Sequence, residues 1–196
     1  MGWMIPWESQ IERDFILLAE VDPTVIAIHA QPFQVEYGFA GGLHHYTPDF
    51  LLETIDGTEV HEVKPDEDLA DEELQKRLRK VGAVIEQMGH NFLIDAESFI
   101  RTEPRLSNAA VINRAAKFEL PAPALPNIRE ILESVHTISI GDLAAGRVGR
   151  PIPEATVFGL VGQGKLLADL NEPLGPSTMV YVSNNPPGIV TVKARQ

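Results

Sequence analysis

An Asp-Gly pair between two β-rich runs is the feature that most restricts how this chain can fold. Asp56-Gly57 separates residues 45–54, where apolar and polar side chains alternate, from residues 59–63. Asp-Gly adopts positive φ at low cost, which is the backbone conformation that tight hairpins require. We therefore predict that the two runs pair as adjacent antiparallel strands.

Helices and further strands are predicted around this hairpin. Apolar residues recur at helical spacing over residues 8–20 and 71–88, and helix breakers follow both segments. Short β-rich segments are predicted at residues 25–29, 31–37 and 91–94, with a turn at 38–42 and a further short element from 97 to 100. This order predicts an α/β or α+β domain with a mixed central sheet and flanking helices.

The second half of the chain reads as a separate module. Residues 121–126 include three prolines and are predicted to be a stiff linker that cannot continue a helix. The predicted limits are a first domain at 1–105, a helix and Pro-rich linker at 106–125, a small domain at 126–183 and a tail at 184–196. A chain of 196 residues has room for one or two domains.

Three short helices and a hairpin are predicted within residues 126–183. The helices are expected at 127–135, 139–145 and 153–161, with Asn127 as the N-cap of the first. Two strands, at 165–170 and 179–182, flank a turn that contains Pro173 and Pro176. Three helices followed by a hairpin are typical of a winged-helix domain.

Composition excludes several classes of function. The chain has no cysteine, so disulfides, thiolate zinc sites and cysteine catalysis are excluded. It shows neither a signal-peptide pattern nor an apolar run of the ~20 residues that a membrane helix needs, so a cytoplasmic protein with no membrane partner is expected. The net charge of −12 argues against general affinity for nucleic acid.

Charge is distributed unevenly along the chain. Residues 1–104 hold 21 acidic and 7 basic residues, whereas residues 105–196 hold 7 and 9. Such asymmetry favours two modules with different roles, although acid-rich surfaces can also serve solubility alone.

The strongest chemical signal is Pro48-Asp49, followed after twelve residues by Glu62-Val63-Lys64. The predicted hairpin brings Asp49 and Glu62 to one end of a sheet, and strand alternation puts Glu62 and Lys64 on the same face. Two carboxylates suit Mg²⁺, with Mn²⁺ as a substitute. Lys64 is then placed to orient or deprotonate an attacking water, or to stabilise negative charge on a phosphate.

Six segments in a fixed order make this pattern more specific than any one motif. They are Ile11-Glu12-Arg13-Asp14-Phe15, Val21-Asp22-Pro23, Gln31-Pro32-Phe33, Tyr46-Thr47-Pro48-Asp49-Phe50, Asp56-Gly57 and Glu62-Val63-Lys64-Pro65. Over residues 8–104 the chain resembles the N-terminal domain of TnsA, the endonuclease subunit of heteromeric transposases, which carries the PD-(D/E)xK nuclease signature.

The resemblance implies a restriction-endonuclease-like fold and cleavage of DNA at transposon ends. It also implies a DDE-type transposase and an AAA+ regulator as partners, in a prokaryotic or phage cell where the bound protein is associated with the nucleoid. Glu12, Asp49 and Glu62 match the acids of the metal site, and Lys64 matches the catalytic lysine. The Val63 carbonyl is a further expected ligand.

For several residues the sequence leaves two interpretations open. Glu8 lies one turn before Glu12 and is an alternative third acid. Gln31 either touches the site or bonds a neighbouring backbone group, and Tyr46 is either an accessory site residue or a half-buried aromatic.

Three basic residues of the second half, Arg147, Arg150 and Lys165, are candidate phosphate contacts, or else scattered surface bases on a protein-docking domain. Two other functions stay open from the sequence. One is a PD-(D/E)xK nuclease of a phage or defence system, and the other is a non-catalytic DNA-binding or scaffold protein on the same fold.

Overall fold

The computed structural model describes residues 5–182. These residues form two compact units, one comprising residues 5–19 and 24–101 and the other residues 20–23 and 102–182. Within the described range no helix has the length and apolar character needed to cross a membrane. Ser183 and the predicted tail at 184–196 lie outside the described residues.

The first unit is built from helices and strands in mixed order. Their bounds are α1 Gln10–Val21 (its last two residues grouped with the second unit), β1 Val25–Ala30, β2 Val35–Phe39, β3 Gly42–Tyr46, β4 Phe50–Thr54, β5 Gly57–Lys64, α2 Asp66–Leu69, α3 Glu72–Gln87, β6 Asn91–Ala96 and α4 Glu97–Ile100. The central sheet has the order β1-β4-β5-β6, and β2 pairs with β3. The pairs β1–β4 and β4–β5 are antiparallel, whereas β6 runs parallel to β5. A parallel neighbour needs a crossover, which α3 supplies.

A helix covers each face of this central sheet. Phe15 of α1 packs in one buried cluster with Phe50 and Val63. Val81 of α3 packs in another with Val60. Successive strand residues point to opposite faces, so β5 contributes to both clusters. The predicted α/β architecture with a mixed central sheet and flanking helices is confirmed.

The prediction of one strand over residues 45–54 is wrong. β3 ends at Tyr46 and pairs with β2, while β4 begins at Phe50 and lies in the central sheet. Pro48 has no N–H to donate to a ladder and separates the two strands. The break leaves Asp49 at the beginning of β4, at one end of the sheet.

The strand predicted at 31–37 is also shorter than expected. It begins only at Val35, because Gln31 has a φ of 46°, outside the extended region. Gly38 and Phe39, predicted in the turn, belong to β2, and the turn itself consists of Ala40 and Gly41.

The second unit contains helices and a small sheet. Their bounds are α5 Arg105–Ala116, α6 Ala124–Val135, β7 Ile138–Ser139, α7 Ile140–Ala144, α8 Glu154–Gly162, β8 Leu166–Leu167 and β9 Met179–Val182. The strand order is β7-β9-β8, with both pairs antiparallel. The predicted order of three helices and a hairpin is present, and β7 is an additional strand. The winged-helix assignment stays a prediction.

The expected start of α6 is wrong. The helix begins at Ala124 rather than after Asn127, and its N-cap is Pro123. Asn127 N donates to Pro123 O at 3.1 Å, so Asn127 lies inside the helix and does not cap it. Pro126 is tolerated because the first turn of a helix needs no donor from that residue's N–H. The Pro-rich linker is therefore shorter than expected.

Helix α5 packs closely on α8 within the second unit. A Cβ added at Gly162 would lie 2.7 Å from Ala116 Cβ, and one added at Gly159 would lie 3.1 Å from Ala115 O. Only glycine allows this approach. The predicted domain limits at 105 and 126 remain predictions, because compact packing alone does not show which segment folds independently.

Candidate active site

Pairing of β4 with β5 brings the charged residues of the two strands to one end of the sheet. The register places Asp49, which directly precedes β4, beside Glu62. Alternation along β5 puts Glu62 and Lys64 on one side, while the Val63 side chain enters the apolar cluster that contains α1. The structure thus brings Asp49, Glu62 and Lys64 together.

Asp49 is held by the backbone of the neighbouring strand. Its Oδ2 accepts a hydrogen bond of 2.8 Å from Val63 N. Burial, together with the negative charges of Glu62 and Glu12, raises the pKa of Asp49 to about 7. This is the net result, since the Val63 amide and the Lys64 ammonium lower the pKa without offsetting the rise. The surroundings of Asp49 therefore disfavour its charged form, mainly because the carboxyl is removed from water.

Glu62 is the most buried carboxylate of the described chain, with a side chain only 1% exposed. Its Oε1 accepts a hydrogen bond from the Tyr46 hydroxyl and forms an ion pair with Lys64 Nζ. Its Oε2 is buried and has no hydrogen-bond partner within residues 5–182. An unsatisfied buried carboxylate oxygen is costly, so this atom is the clearest sign that the site accommodates a further group.

Lys64 links the two acids. Its Nζ lies 3.9 Å from Asp49 Oδ2 and donates to Val63 O at 3.3 Å. Burial lowers the pKa of Lys64, but the charges of Glu62 and Asp49 outweigh burial and leave this pKa above its ordinary value. The side chain is therefore an ammonium at neutral pH.

Two acids of the N-terminal segment were candidates for a third position. Glu12 is half-buried on α1, and its charge reaches Asp49, whose pKa it raises. Its Oε2 accepts a hydrogen bond of 2.9 Å from Glu8 N. Glu8 is exposed, and its Oε1 accepts from Gln31 Nε2 at 2.8 Å. This geometry favours Glu12 over Glu8 as the third acid.

Gln31 makes backbone and side-chain contacts at the edge of the site. Its N donates to Asp49 O at 2.8 Å, while its side chain turns away to Glu8. Gln31 thus ties the segment before α1 to the residue that precedes β4, and its side-chain amide bonds Glu8 instead of Asp49 or Glu62.

Tyr46 contacts the site directly. Burial raises the pKa of Tyr46, and so does the neighbouring charge of Glu62, which keeps the hydroxyl protonated as a donor. The rings of Tyr46 and Tyr37 are arranged edge to face, with their centroids 6.4 Å apart. Tyr37 Oη accepts a hydrogen bond of 3.1 Å from Arg77 Nε. Arg77 was not predicted to lie near the site. Basic residues are concentrated at 76–80, and this concentration is the feature of the sequence that could have indicated it.

The oxygen donors of this site fit a small divalent cation. Over residues 5–182 no three His, Asp or Glu side chains converge as a ready-made metal site. However, Mg²⁺ commonly binds through one or two carboxylates and completes its shell with water and substrate phosphates. A cation at this position would give the partnerless Glu62 Oε2 a ligand and would favour the charged form of the buried Asp49.

The three basic residues predicted as phosphate contacts all belong to the second unit. Arg147 pairs with Asp142 at 2.5 Å, and Lys165 donates to Gln163 Oε1 at 2.6 Å. Arg150 is exposed. Two of the three are thus already engaged by neighbouring side chains.

Comparison with known families fits this geometry. No curated protein matches the chain. Residues 22–97 match the family model described as TnsA-like endonuclease N terminal, and the match contains Asp49, Glu62 and Lys64 while beginning after Glu12. A mixed sheet covered by helices on both faces is the arrangement that this family implies. Residues 22–97 therefore form a TnsA-like endonuclease N-terminal domain of the PD-(D/E)xK, restriction-endonuclease-like superfamily.

Proposed function

We propose that this chain is a metal-dependent DNA endonuclease that serves as the TnsA-like subunit of a heteromeric transposase and hydrolyses phosphodiester bonds at transposon ends. The observation that carries this proposal is the cluster of Asp49, Glu62 and Lys64 at one end of the sheet inside the matched domain. The partners in this proposal are DNA, a DDE-type transposase and an AAA+ regulator.

Asp49, Glu62 and Glu12 would hold Mg²⁺ or Mn²⁺, with the Val63 carbonyl as a further ligand. Glu62 would contribute Oε2, since its other oxygen is engaged by Tyr46 and Lys64. When bound, the cation supplies an acidified water and offsets charge on the scissile phosphate.

Lys64 stabilises negative charge in this proposal. Its raised pKa and its ion pair with Glu62 keep the ammonium protonated, so it is poorly suited to accept a proton from water. A fixed ammonium beside the acids is instead suited to the charge that develops on a phosphate during in-line attack. We therefore assign charge stabilisation, rather than water deprotonation, to Lys64.

Tyr46 is a positioning residue in this proposal. Its hydroxyl fixes Oε1 of Glu62, which leaves Oε2 directed to the site. Groups that orient metal ligands commonly change metal affinity or activity by about 10–100-fold when removed. Gln31 and Glu8 act farther out, by tying the start of α1 to the loop that precedes Asp49.

The second unit would contribute a winged-helix DNA contact. Three helices and a sheet of order β7-β9-β8 support this assignment. Arg147, Arg150 and Lys165 are its candidate phosphate contacts. Because Arg147 and Lys165 are engaged locally, we propose only a weak contribution from these residues.

Nicking of supercoiled plasmid in Mn²⁺ tests the proposed function. Asp49→Asn and Lys64→Ala are compared with wild type, and Asp56→Asn is the matched control. Asp56 is an exposed carboxylate in the turn of the same hairpin, about 20 Å along β4 from Asp49. We expect wild type and the control to cut, producing 5′-phosphate and 3′-hydroxyl ends, and the site variants to lose at least about a thousandfold in rate, or about 4 kcal/mol of barrier.

Cleavage by Asp49→Asn at the wild-type rate would refute the site. If isolated wild type does not cut, the assay is repeated with the transposase encoded beside its gene. Cutting only in that mixture supports a transposase subunit, whereas cutting without any neighbouring transposase gene indicates a phage or defence nuclease. Failure to cut in either condition, with the protein folded, indicates a non-catalytic binding or scaffold role.

A further inference from the structure

Helix α3 concentrates the positive charge of an otherwise acidic region. Residues 1–104 contain only 7 basic residues, and four of these are Lys76, Arg77, Arg79 and Lys80. Residues 75–85 contain these four bases and no acid, whereas residues 66–73 contain six acids and no base. The positive charge of the first unit therefore has one main location, next to a strongly negative segment.

This basic segment lies on the same side of the sheet as Glu62. Arg77 donates to Tyr37 Oη at 3.1 Å, the Tyr37 ring meets Tyr46, and Tyr46 donates to Glu62. The packing agrees, because α3 and Val60 share a buried cluster, and Val60 has the same strand parity as Glu62. A continuous set of side chains thus connects Arg77 with the proposed metal site.

The charges on α3 are available to an external anion. Lys80 and Arg79 are exposed and have no ion-pair partner within 4 Å among residues 5–182. Lys76 pairs with Glu72 at 3.8 Å, but both side chains are largely exposed, and such pairs contribute little. At about 100° per residue, Lys76, Lys80 and Arg77 fall within an arc of about 100°, while Arg79 lies on the other flank of the helix. The first three form one face.

We propose that Lys76, Arg77 and Lys80 form a phosphate-binding face, which holds the DNA backbone next to Glu62 of the candidate active site. This inference rests on the proposed function and names the surface by which an acidic chain contacts its substrate. Phosphate contacts by Lys and Arg are independent of base sequence, as expected for positioning a strand rather than selecting it. The acids of residues 66–73, in α2 and at the beginning of α3, repel phosphate, so the DNA approaches the site over the basic part of α3 that follows them.

Duplex binding without metal tests this face. The variant Lys76→Gln/Arg77→Gln/Lys80→Gln is compared with wild type and with Arg114→Gln/Lys117→Gln/Arg129→Gln. The control removes three exposed bases of the second unit, so its net charge equals that of the α3 variant. Binding is measured by fluorescence anisotropy in EDTA over a range of salt concentrations, so that no cleavage occurs.

Each lost phosphate contact should raise Kd roughly tenfold at about 0.1 M salt and reduce the slope of log K against log salt by about 1. Since the α3 variant lacks three such contacts, we expect it to bind on the order of a thousandfold more weakly than wild type, and the control to bind nearly as wild type does. An α3 variant that binds as well as the control, or a wild type that binds no duplex at low salt, would overturn the proposal.

Lysine protection in wild type provides a measurement that needs no variant. Bound duplex should slow acylation of Lys76 and Lys80, and leave that of Lys117 unchanged, whereas equal rates with and without DNA would contradict the proposal.

Asp49→Asn distinguishes failure of the proposed endonuclease function from failure of the proposed phosphate-binding face. If it loses cleavage but keeps DNA binding, the proposed function holds and the binding data alone decide the role of α3.

Discussion

The two units differ in the kind of polar side chain that they bury. In the first unit the buried polar side chains within the described range are all ionisable, namely Asp14, His61 and Glu62. In the second unit they are two amides and a hydroxyl, namely Asn108, Asn113 and Thr156. Burying an ionised group costs far more than burying a neutral one, so Glu62 lowers the stability of the first unit at the candidate site.

Glu62 also differs from the buried polar groups of the second unit in its partners. Asn108 Nδ2 donates to Leu170 O at 2.8 Å and to Glu172 O at 2.9 Å, which joins α5 to the segment before β9. Glu62 Oε2, in contrast, is buried without a partner. Satisfied neutral groups stabilise the second unit, while the first unit keeps an unsatisfied charge that a ligand can use. Four changes test this comparison.

Truncation of the second core should give the largest effect. Leu160 is 1% exposed within the main apolar cluster of the second unit, so Leu160→Ala should lower the free energy of unfolding by about 3 kcal/mol. Urea unfolding is followed by circular dichroism and by tryptophan fluorescence, to which Trp7 of the first unit contributes. The exposed Val148→Ala is the control. A loss below about 1 kcal/mol for Leu160→Ala would contradict close packing of this core.

Removal of a neutral buried group should be the next largest effect. Asn108→Ala deletes two hydrogen bonds and leaves the Leu170 and Glu172 carbonyls without this donor, so we expect a loss of about 2 kcal/mol. The same urea titration measures it, with exposed Asn171→Ala as the matched control. Equal free energies of unfolding for Asn108→Ala and Asn171→Ala would show that the hydrogen bonds of Asn108 do not stabilise the second unit.

Removal of the tyrosine hydroxyl should affect the site more than the fold. Tyr46→Phe removes one of the two partners of Glu62 Oε1 and leaves only Lys64, so we expect about tenfold weaker Mn²⁺ binding by calorimetry and cleavage that recovers at high metal concentration. Tyr181→Phe, in the second unit, is the control. An unchanged affinity for Mn²⁺ would assign Tyr46 to packing alone.

Neutralisation of a site acid should have the smallest effect, with the opposite sign. In metal-free buffer Asp49→Asn should stabilise the fold by about 1 kcal/mol at pH 8, because it removes the cost of burying a charged carboxylate and its repulsion from Glu62, while Asn can still accept from Val63 N. Burial holds the pKa of Asp49 at about 7 against an ordinary 3.8, so the folded form favours the protonated acid. The free energy of unfolding of wild type therefore falls as pH rises between these values.

The stability gained by the Asn variant should accordingly grow from pH 4 to pH 7 and then level off. Thermal unfolding at several pH values measures this difference, and Asp56→Asn, whose carboxyl is exposed, should show no such trend. A variant that is less stable than wild type at pH 8 would show that Asp49 stabilises the fold, which would break the contrast between the units.

Local patterns predicted most of the first unit. Asp71 caps α3 by accepting from Glu73 N and Leu74 N, as residues of its type commonly do. The prediction that Asp49 and Glu62 meet rested on the hairpin turn and on strand alternation, both of which operate over a few residues. Errors arose where one residue overrode a longer pattern, as Pro48 does between β3 and β4.

The second unit shows the same limit. Pro126 was taken to prevent a helix, yet α6 includes it in its first turn, where its missing N–H has no intrahelical partner to lose. The sequence also gave no indication of β7, since two residues that pair with β9 carry no periodicity of their own.

By itself the sequence determined the turn, the strand alternation and the spacing that unite Asp49, Glu62 and Lys64. Only the tertiary structure decided that Oε2 of Glu62 is buried without a partner, that the Tyr46 hydroxyl, 16 residues away, fixes the other oxygen, and that Arg77 reaches Tyr37 across 40 residues. These contacts depend on how α3 and β2 pack together, and helical or strand periodicity specifies which face of an element is apolar but not which partner covers it.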